Sequence, residues 1–354
     1  MAYTTIDNPS ETAFNTKLYT GTGSSNAITG VGFQPDFVWI KQRSNAENHA
    51  LFDAVRGVTK YVKSDETASE VTESNSLSAF GTDGFTVVSS GKTNTNGRTY
   101  ASWQWKAGTS FTNDASGTGI GTIDSTGSVN TDAGFSIISY TGTGSNGTVA
   151  HGLGVTPKMI ICKGRSFSTS AHWLTYHEAM GNTSAMKLNL TSAKETTVYY
   201  WNNTSPTSST FSLGASTEAN SSSATFIAYC FAEKQGYSKF GSYVGNGNTS
   251  GTFCYTGMKP AFVLLKNTTA VDQWMIFDNK RKGYNPDNDF LRPNLSNAEG
   301  TESGAKIDLL SNGFKLRGSG GGIGQTNTSG QTYIYMCFAS NPFTTSTGVP
   351  ATAR

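Results

Sequence analysis

Three stretches of the chain share one pattern of apolar and polar positions. Gly32-Phe33-Gln34-Pro35 leads into Phe37-Val38-Trp39-Ile40 and ends on Lys41. Gly154-Val155-Thr156-Pro157 leads into Met159-Ile160-Ile161-Cys162 and ends on Lys163, and Gly257-Met258-Lys259-Pro260 leads into Ala261-Phe262-Val263-Leu264-Leu265 and ends on Lys266. Proline fixes φ and has no N–H for a ladder, so it suits the first residue of a strand. An unbroken run of four or five apolar residues reads as a strand covered on both faces. The lysine, six positions after each proline, then marks where the strand reaches solvent.

The flanks repeat as well. Upstream lie Phe14 to Gly23, Phe135 to Gly144 and Phe240 to Gly247, each ending in a glycine-rich polar tip. Downstream come Gly84-Phe85-Thr86-Val87, Thr210-Phe211-Ser212-Leu213 and Gly313-Phe314-Lys315-Leu316. Each round closes on an aromatic strand: Thr99 to Trp105, Thr225 to Phe231, Thr332 to Phe338. Short alternating strands joined by many turns, without helical periodicity, predict an all-β chain of three tandem antiparallel β-sandwiches of jelly-roll-like form. The boundaries expected are 1–108, 133–236 and 237–343 for the sandwiches, with 109–132 a linker or extra hairpin and 344–354 a tail. The junction before the second sandwich is long and that before the third short, which predicts a bent row rather than a ring around a pseudo-threefold axis. The acidic stretch Ser64 to Ser78 reads as a loop or one short helix.

Composition narrows the partners. Forty glycines and 14% charged residues suit strands and turns, and 12% aromatics exclude a disordered chain. A net charge of +2 with interspersed signs argues against nucleic acid or an anionic membrane as partner. Met1-Ala2-Tyr3-Thr4 opens no signal peptide, and no apolar run is long enough to span a bilayer. The four cysteines read as small buried hydrophobes in a chain folded in a reducing cytoplasm.

The chemistry is sparse. After the central strands come His49, Asp53 and Arg56; His172, His177 and Glu178; and Asp272, Asp278 and Arg281. An acid–base pair of His177 and Glu178 is weakened because neighbours on a strand face opposite ways. Local ion pairs Asp53/Arg56 and Asp278/Arg281 closing turns are the favoured reading. Gly318 to Gly324 is glycine-rich but no helix follows, and Asn285-Pro286-Asp287-Asn288-Asp289 reads as a turn rather than a Ca²⁺ loop. His151 is a turn histidine. Trp39, Trp103 and Trp105 stand where other rounds carry plain apolar residues, which assigns them to the core. Trp201, outside the repeated strands, is the leading candidate for an exposed stacking contact, with Tyr200 and Trp173 beside it as binding candidates. No catalytic residue, metal ligand or cofactor is expected.

Several of these segments resemble a large family of marine bacteriophage proteins, from phages of cyanobacteria and other abundant marine bacteria. They are Thr16 to Gly21, Gly30 to Lys41, the block His49 to Gly57, Ala228 to Lys234 and Tyr333 to Ala339. The resemblance covers nearly the whole chain. It departs at Phe338-Ala339-Ser340-Asn341-Pro342-Phe343, where the family has an acid in place of Ser340. The resemblance implies a non-enzymatic virion component assembled in the host cytoplasm, tail-fibre-like, binding glycan receptors on the host. Its implied partners are other virion proteins and further copies of itself, a trimer being favoured, with neither nucleic acid nor membrane insertion. A capsid decoration or head-fibre protein and a tail adaptor are the same-class rivals, and the lack of a fibre shaft favours a short knob. A glycan depolymerase using Asp53, Glu178 or Asp278, and a free lectin-like module, are the alternatives of other classes.

Overall fold

The computed structural model describes residues 3–167, 171–302, 304–318 and 326–352, and among them the chain is all-β with antiparallel sheets and helices of at most four residues. The run Phe37–Gln42 is buried at all six positions because it lies between two cores. Its pleat sends Phe37 and Trp39 into one apolar cluster and Val38 and Ile40 into another. Lys41 does not mark an exit to solvent: it is fully buried, as are Lys163 and, within a per cent, Lys266.

One strand order occurs three times. The first set runs Phe14–Thr20, Thr99–Trp105, Phe37–Gln42, Ala50–Asp53. The second runs Phe135–Thr141, Thr225–Phe231, Met159–Gly164, Leu174–His177, and the third Ser238–Val244, Thr332–Pro342, Met258–Asn267, Trp274–Asp278. The aromatic closing strand therefore always sits between the opening strand and the proline-led strand. Its register aligns Phe14, Phe135 and Ser238 opposite Trp105, Phe231 and Phe338. Each set carries a small second sheet on its outer side, and a private core fills the gap. Ile28, Leu77, Phe85 and Val87 do this in the first sandwich, Val149, Phe211 and Leu213 in the second, and Cys254, Ile307, Leu309 and Phe314 in the third.

The segment expected as linker or hairpin is a hairpin. Thr109–Asn113 pairs with Ser125–Asn130, which pairs with Phe135–Thr141, so the second sandwich has an eight-stranded sheet. The tail turns back on itself through Thr345 N–H to Val349 O at 2.9 Å. Ser346 N–H also donates to Asp7 at 2.7 Å, tying the tail to the N-terminal arm.

The inner faces of all three four-stranded sets share one core. Trp105, Phe231 and Phe338, at equivalent register positions, meet with ring centroids 6.4, 5.6 and 5.9 Å apart. Phe37 stacks on Tyr229 at 4.3 Å, and Phe14 stacks on Phe338 at 5.3 Å. Every sandwich touches both others around a pseudo-threefold axis, so the bent row is overturned. The expectation failed because linker length constrains reach, not direction, whereas the apolar inner faces can be removed from water only by facing one another.

Candidate functional site

Ring closure is built from three equivalent polar seams. The Lys41 ammonium donates to Gln42 O at 2.8 Å in its own strand and to Ser296 O at 3.0 Å in the third sandwich. Lys163 donates to Ala171 O at 2.8 Å and to Thr67 O at 2.9 Å in the first sandwich. Lys266 donates to Asn267 O at 2.9 Å and to Thr191 O at 3.1 Å in the second. The contact is head to tail and closes after three steps. Burial pulls the ammonium pKa values down to about 8, about 7 and about 8 in turn. The stretch Ser64 to Ser78 is thus a docking edge, whose Glu70 takes Arg165 at 2.9 Å; Glu299 takes Arg43 at 2.7 Å in the matching seam. Sequence could not show this, since both contacts join residues far apart in the chain.

The polar residues after the central strands serve the same seams. Across each lysine stands His49, Trp173 or Trp274, and the ring N–H of Trp173 donates to Lys63 O at 2.7 Å, that of Trp274 to Lys187 O at 3.1 Å. His49 replaces the tryptophan, reaching Arg292 O through Nε2 at 3.0 Å while Nδ1 accepts from Trp39 at 2.8 Å. Burial, then the nearby Lys41 charge, holds its pKa well below the ordinary range. The local ion pairs are present: Arg56 Nε meets Asp53 at 2.5 Å and Arg281 Nε meets Asp278 at 2.6 Å, all four side chains buried. Each acid also accepts from a neighbour, Asp53 from Tyr229 OH at 2.8 Å and Asp278 from Trp103 Nε1 at 3.1 Å. Burial alone would raise the Asp278 carboxyl, but the Arg281 guanidinium outweighs it and holds the pKa below the usual range. In the second sandwich the corresponding closing-strand residue of the neighbour is Met336, which cannot donate, and His177 reaches Tyr335 O instead at 3.1 Å.

The residues singled out for chemistry are not brought together. His177 is buried while Glu178 is exposed and paired with Lys158, so the two do not form an acid–base pair. Asp53 and Asp278 are each taken up by an arginine of their own sandwich. Trp201 and Trp173 are 2% and 0% exposed, and Tyr200 is 8% exposed with its hydroxyl on Glu195 at 2.6 Å. This corrects the stacking expectation for all three. Trp201 is covered because the short helix Val198–Trp201 folds over the outer sheet and sets its ring edge-on to Tyr176 at 5.7 Å. Trp39, Trp103 and Trp105 lie in the shared core as expected.

The chain bends at Asn285 and Pro286, and Asn285 is clamped to the strand residue Leu309 by hydrogen bonds of 2.9 and 3.0 Å. His151 is buried, with Nε2 near Thr207 O at 3.2 Å. The four cysteines are buried and free, and burial pushes the Cys162 and Cys254 thiols up to about 12. Of the glycine-rich stretch, Ser319 to Gly324 lies outside the described residues. Among the described residues no three His, Cys, Asp or Glu side chains assemble as a metal site.

What the surface does present is three tips of one design. Thr22 to Ser25, Thr143 to Asn146, and Asn246 with Asn248 to Ser250 are exposed. Behind each sits a buried asparagine: Asn94, Asn220 or Asn327. Its side-chain oxygen accepts from Thr22 N at 2.9 Å, Thr143 N at 2.9 Å or Asn246 N at 3.0 Å. Its amide group donates to backbone carbonyls on the far side of the tip, such as Ser145 O at 2.6 Å and Asn248 O at 2.8 Å. The first glycine of each tip is obligatory, since a Cβ on Gly21, Gly142 or Gly245 would lie 2.2 to 2.3 Å from a backbone oxygen. Each tip sits at the end of its sheet where the lysine crosses to the next sandwich: Gly21 N bonds Arg98 O and Arg43 N bonds Thr99 O.

No curated protein matches the chain. A family model described as a domain of unknown function, DUF7483, matches residues 8–342, one model running through all three sandwiches. The chain belongs to that family.

Proposed function

We propose that this chain is a structural protein of a bacteriophage particle, assembled in the host cytoplasm, that sits on the tail among other virion proteins and touches glycans of the host surface. The observation that carries the reading is the set of three polar tips, each fixed from behind by a buried asparagine, on a body whose three sandwiches share one core. Such a body keeps its loops in place at no ordering cost when a ligand arrives, which favours repeated weak contacts with a polar surface. The sequence resemblance to tail-fibre-like proteins supports the same reading. Immunogold labelling of intact virions with an antibody to this chain tests it: gold at the tail is the expected result. Unlabelled virions would end the proposal.

The pseudo-threefold closure favours a second location. A body with three equivalent faces fits a local threefold position of a capsid, and as a decoration it would label the head.

A further inference from the structure

The three sandwiches differ at one pair of outward positions. Register aligns Ala27, Thr148 and Phe253, opposite Thr86, Ser212 and Lys315 on the neighbouring strand. Two residues further on stand Thr29, Ala150 and Tyr255. Between them Ile28, Val149 and Cys254 point into the private cores. Phe253 and Tyr255 point away from the core and are 44% and 56% exposed. The fold does not require aromatic rings here, because the first sandwich exposes Ala27 and Thr29 at these positions, whereas in the second Thr148 is half-buried and Ala150 is buried beneath the segment around Thr122 and Ser125. Two large rings side by side on an exposed edge strand are unfavourable for a free surface and call for an occupant.

We propose that Phe253 and Tyr255 form a stacking platform for the sugar rings of an oligosaccharide. The proposal rests on the glycan reading above and assigns it a place. The two rings lie on one face of the strand, about 7 Å apart along it. Phe253 passes close to Gly313, where a Cβ would stand 3.2 Å from the ring and only 2.1 Å from Cys254 O. Tyr3 from the N-terminal arm donates to Gly257 O at 2.7 Å, its hydroxyl beside that of Tyr255. The rim is polar: Lys315 donates to a neutral partner, Ser250 Oγ at 3.2 Å, while Asp308 is paired with Arg317 at 3.1 Å.

A pyranose has an apolar C–H face and a rim of hydroxyls, and this surface offers aromatic faces with an ammonium and hydroxyls at their edge. A protein partner fits less well. A stable interface covers about 800 Å² per partner with an apolar centre, whereas charged side chains bound this patch on the strand next to it.

The test is binding of the full chain to an array of lipopolysaccharide cores, O-antigens and capsular oligosaccharides. Phe253→Ala with Tyr255→Ala is compared with the same chain carrying Ala27→Ser with Thr148→Ala at the equivalent positions. The expected result is loss of at least tenfold in affinity for the first pair only, with a single cooperative unfolding transition retained by both variants. If the unaltered chain binds and the first pair binds equally well, the platform is wrong while the glycan reading stands. If the unaltered chain binds nothing on the array at millimolar sensitivity, both fall.

Discussion

Replacing Trp105 by alanine removes the ring at which the three sandwiches meet. Trp105 is fully buried and packs within 6.4 Å, centroid to centroid, of Phe14, Phe37, Phe231, Phe262 and Phe338. A buried indole hides roughly 200 Å² of mostly apolar surface, worth about 5 kcal/mol at 25 cal/mol/Å². Its Nε1–H has no hydrogen-bond partner among the described residues, and removing an unsatisfied buried donor returns about 1–3 kcal/mol. The net expectation for Trp105→Ala is a loss of about 2–4 kcal/mol, while Trp105→Phe keeps most of the ring, drops the orphan donor and falls within about 1 kcal/mol of the native chain. Denaturant unfolding of the full chain, followed by fluorescence and far-ultraviolet dichroism, reads both. The midpoint should shift without change of slope, because all three sandwiches lose the contact together. A loss under 1 kcal/mol for the alanine variant, or a split transition in which one part of the chain keeps its midpoint, would refute the reasoning.

Other consequences follow from the seams and tips. Arg56→Met strips Asp53 of its buried partner and should cost about 3–5 kcal/mol by the same assay, whereas Glu178→Gln at the exposed Lys158 pair should cost under about 1 kcal/mol. Asn220→Ala removes a bond to Thr143 N and two to Ser145 O and Gly214 O; proteolytic cleavage near 143–146 should appear in that variant and not in the native chain. Stability should also depend on pH in a definite sense. Lys163, Lys41 and Lys266 are depressed to about 7, 8 and 8 by burial, so above those values the unfolded chain holds protons that the folded chain has released. Stability therefore rises from pH 7 toward 9, by about 1.4 kcal/mol per unit for each proton of difference. It falls again above 9 and 10, where unfolded thiols and phenols ionise and the buried Cys230 and Tyr140, pushed well up by burial, do not. On the acid side, His151 and His177 are lowered to about 4 by burial, so stability falls as pH drops from 6.5 toward 4. Urea midpoints at half-unit steps check the profile, and a flat line from 7 to 9 would contradict it.

Much of the fold was legible because it is local. The unbroken apolar runs place the central strands, although the prolines do not open them: two strands begin two residues after theirs, and the third starts at Met258 and carries Pro260 at a bulge. Trp39, Trp103 and Trp105 can be placed inside because other rounds carry Ile161, Tyr229 and Phe231 or Phe338 there. What was not legible depends on partners far along the chain. Lys41, Lys163 and Lys266 looked like the ends of strands because a buried ammonium is costly unless satisfied, and the satisfying carbonyls of Ser296, Thr67 and Thr191 belong to another sandwich. Trp201 looked exposed because no repeated strand contains it, yet a four-residue helix turns it inward. Phe253 and Tyr255 passed unnoticed in a short, glycine-flanked stretch. Strand register sets them against Ala27 and Thr29, a contrast that shared letters alone do not bring out.

The central claim is that three sandwiches close into one body through a shared core and three seams. Differential scanning calorimetry of the full chain at pH 8 tests it most directly. A single transition whose van't Hoff and calorimetric enthalpies agree is the predicted result. Three resolved transitions, or a van't Hoff enthalpy near a third of the calorimetric one, would mean that the sandwiches unfold independently and that the ring does not hold them together.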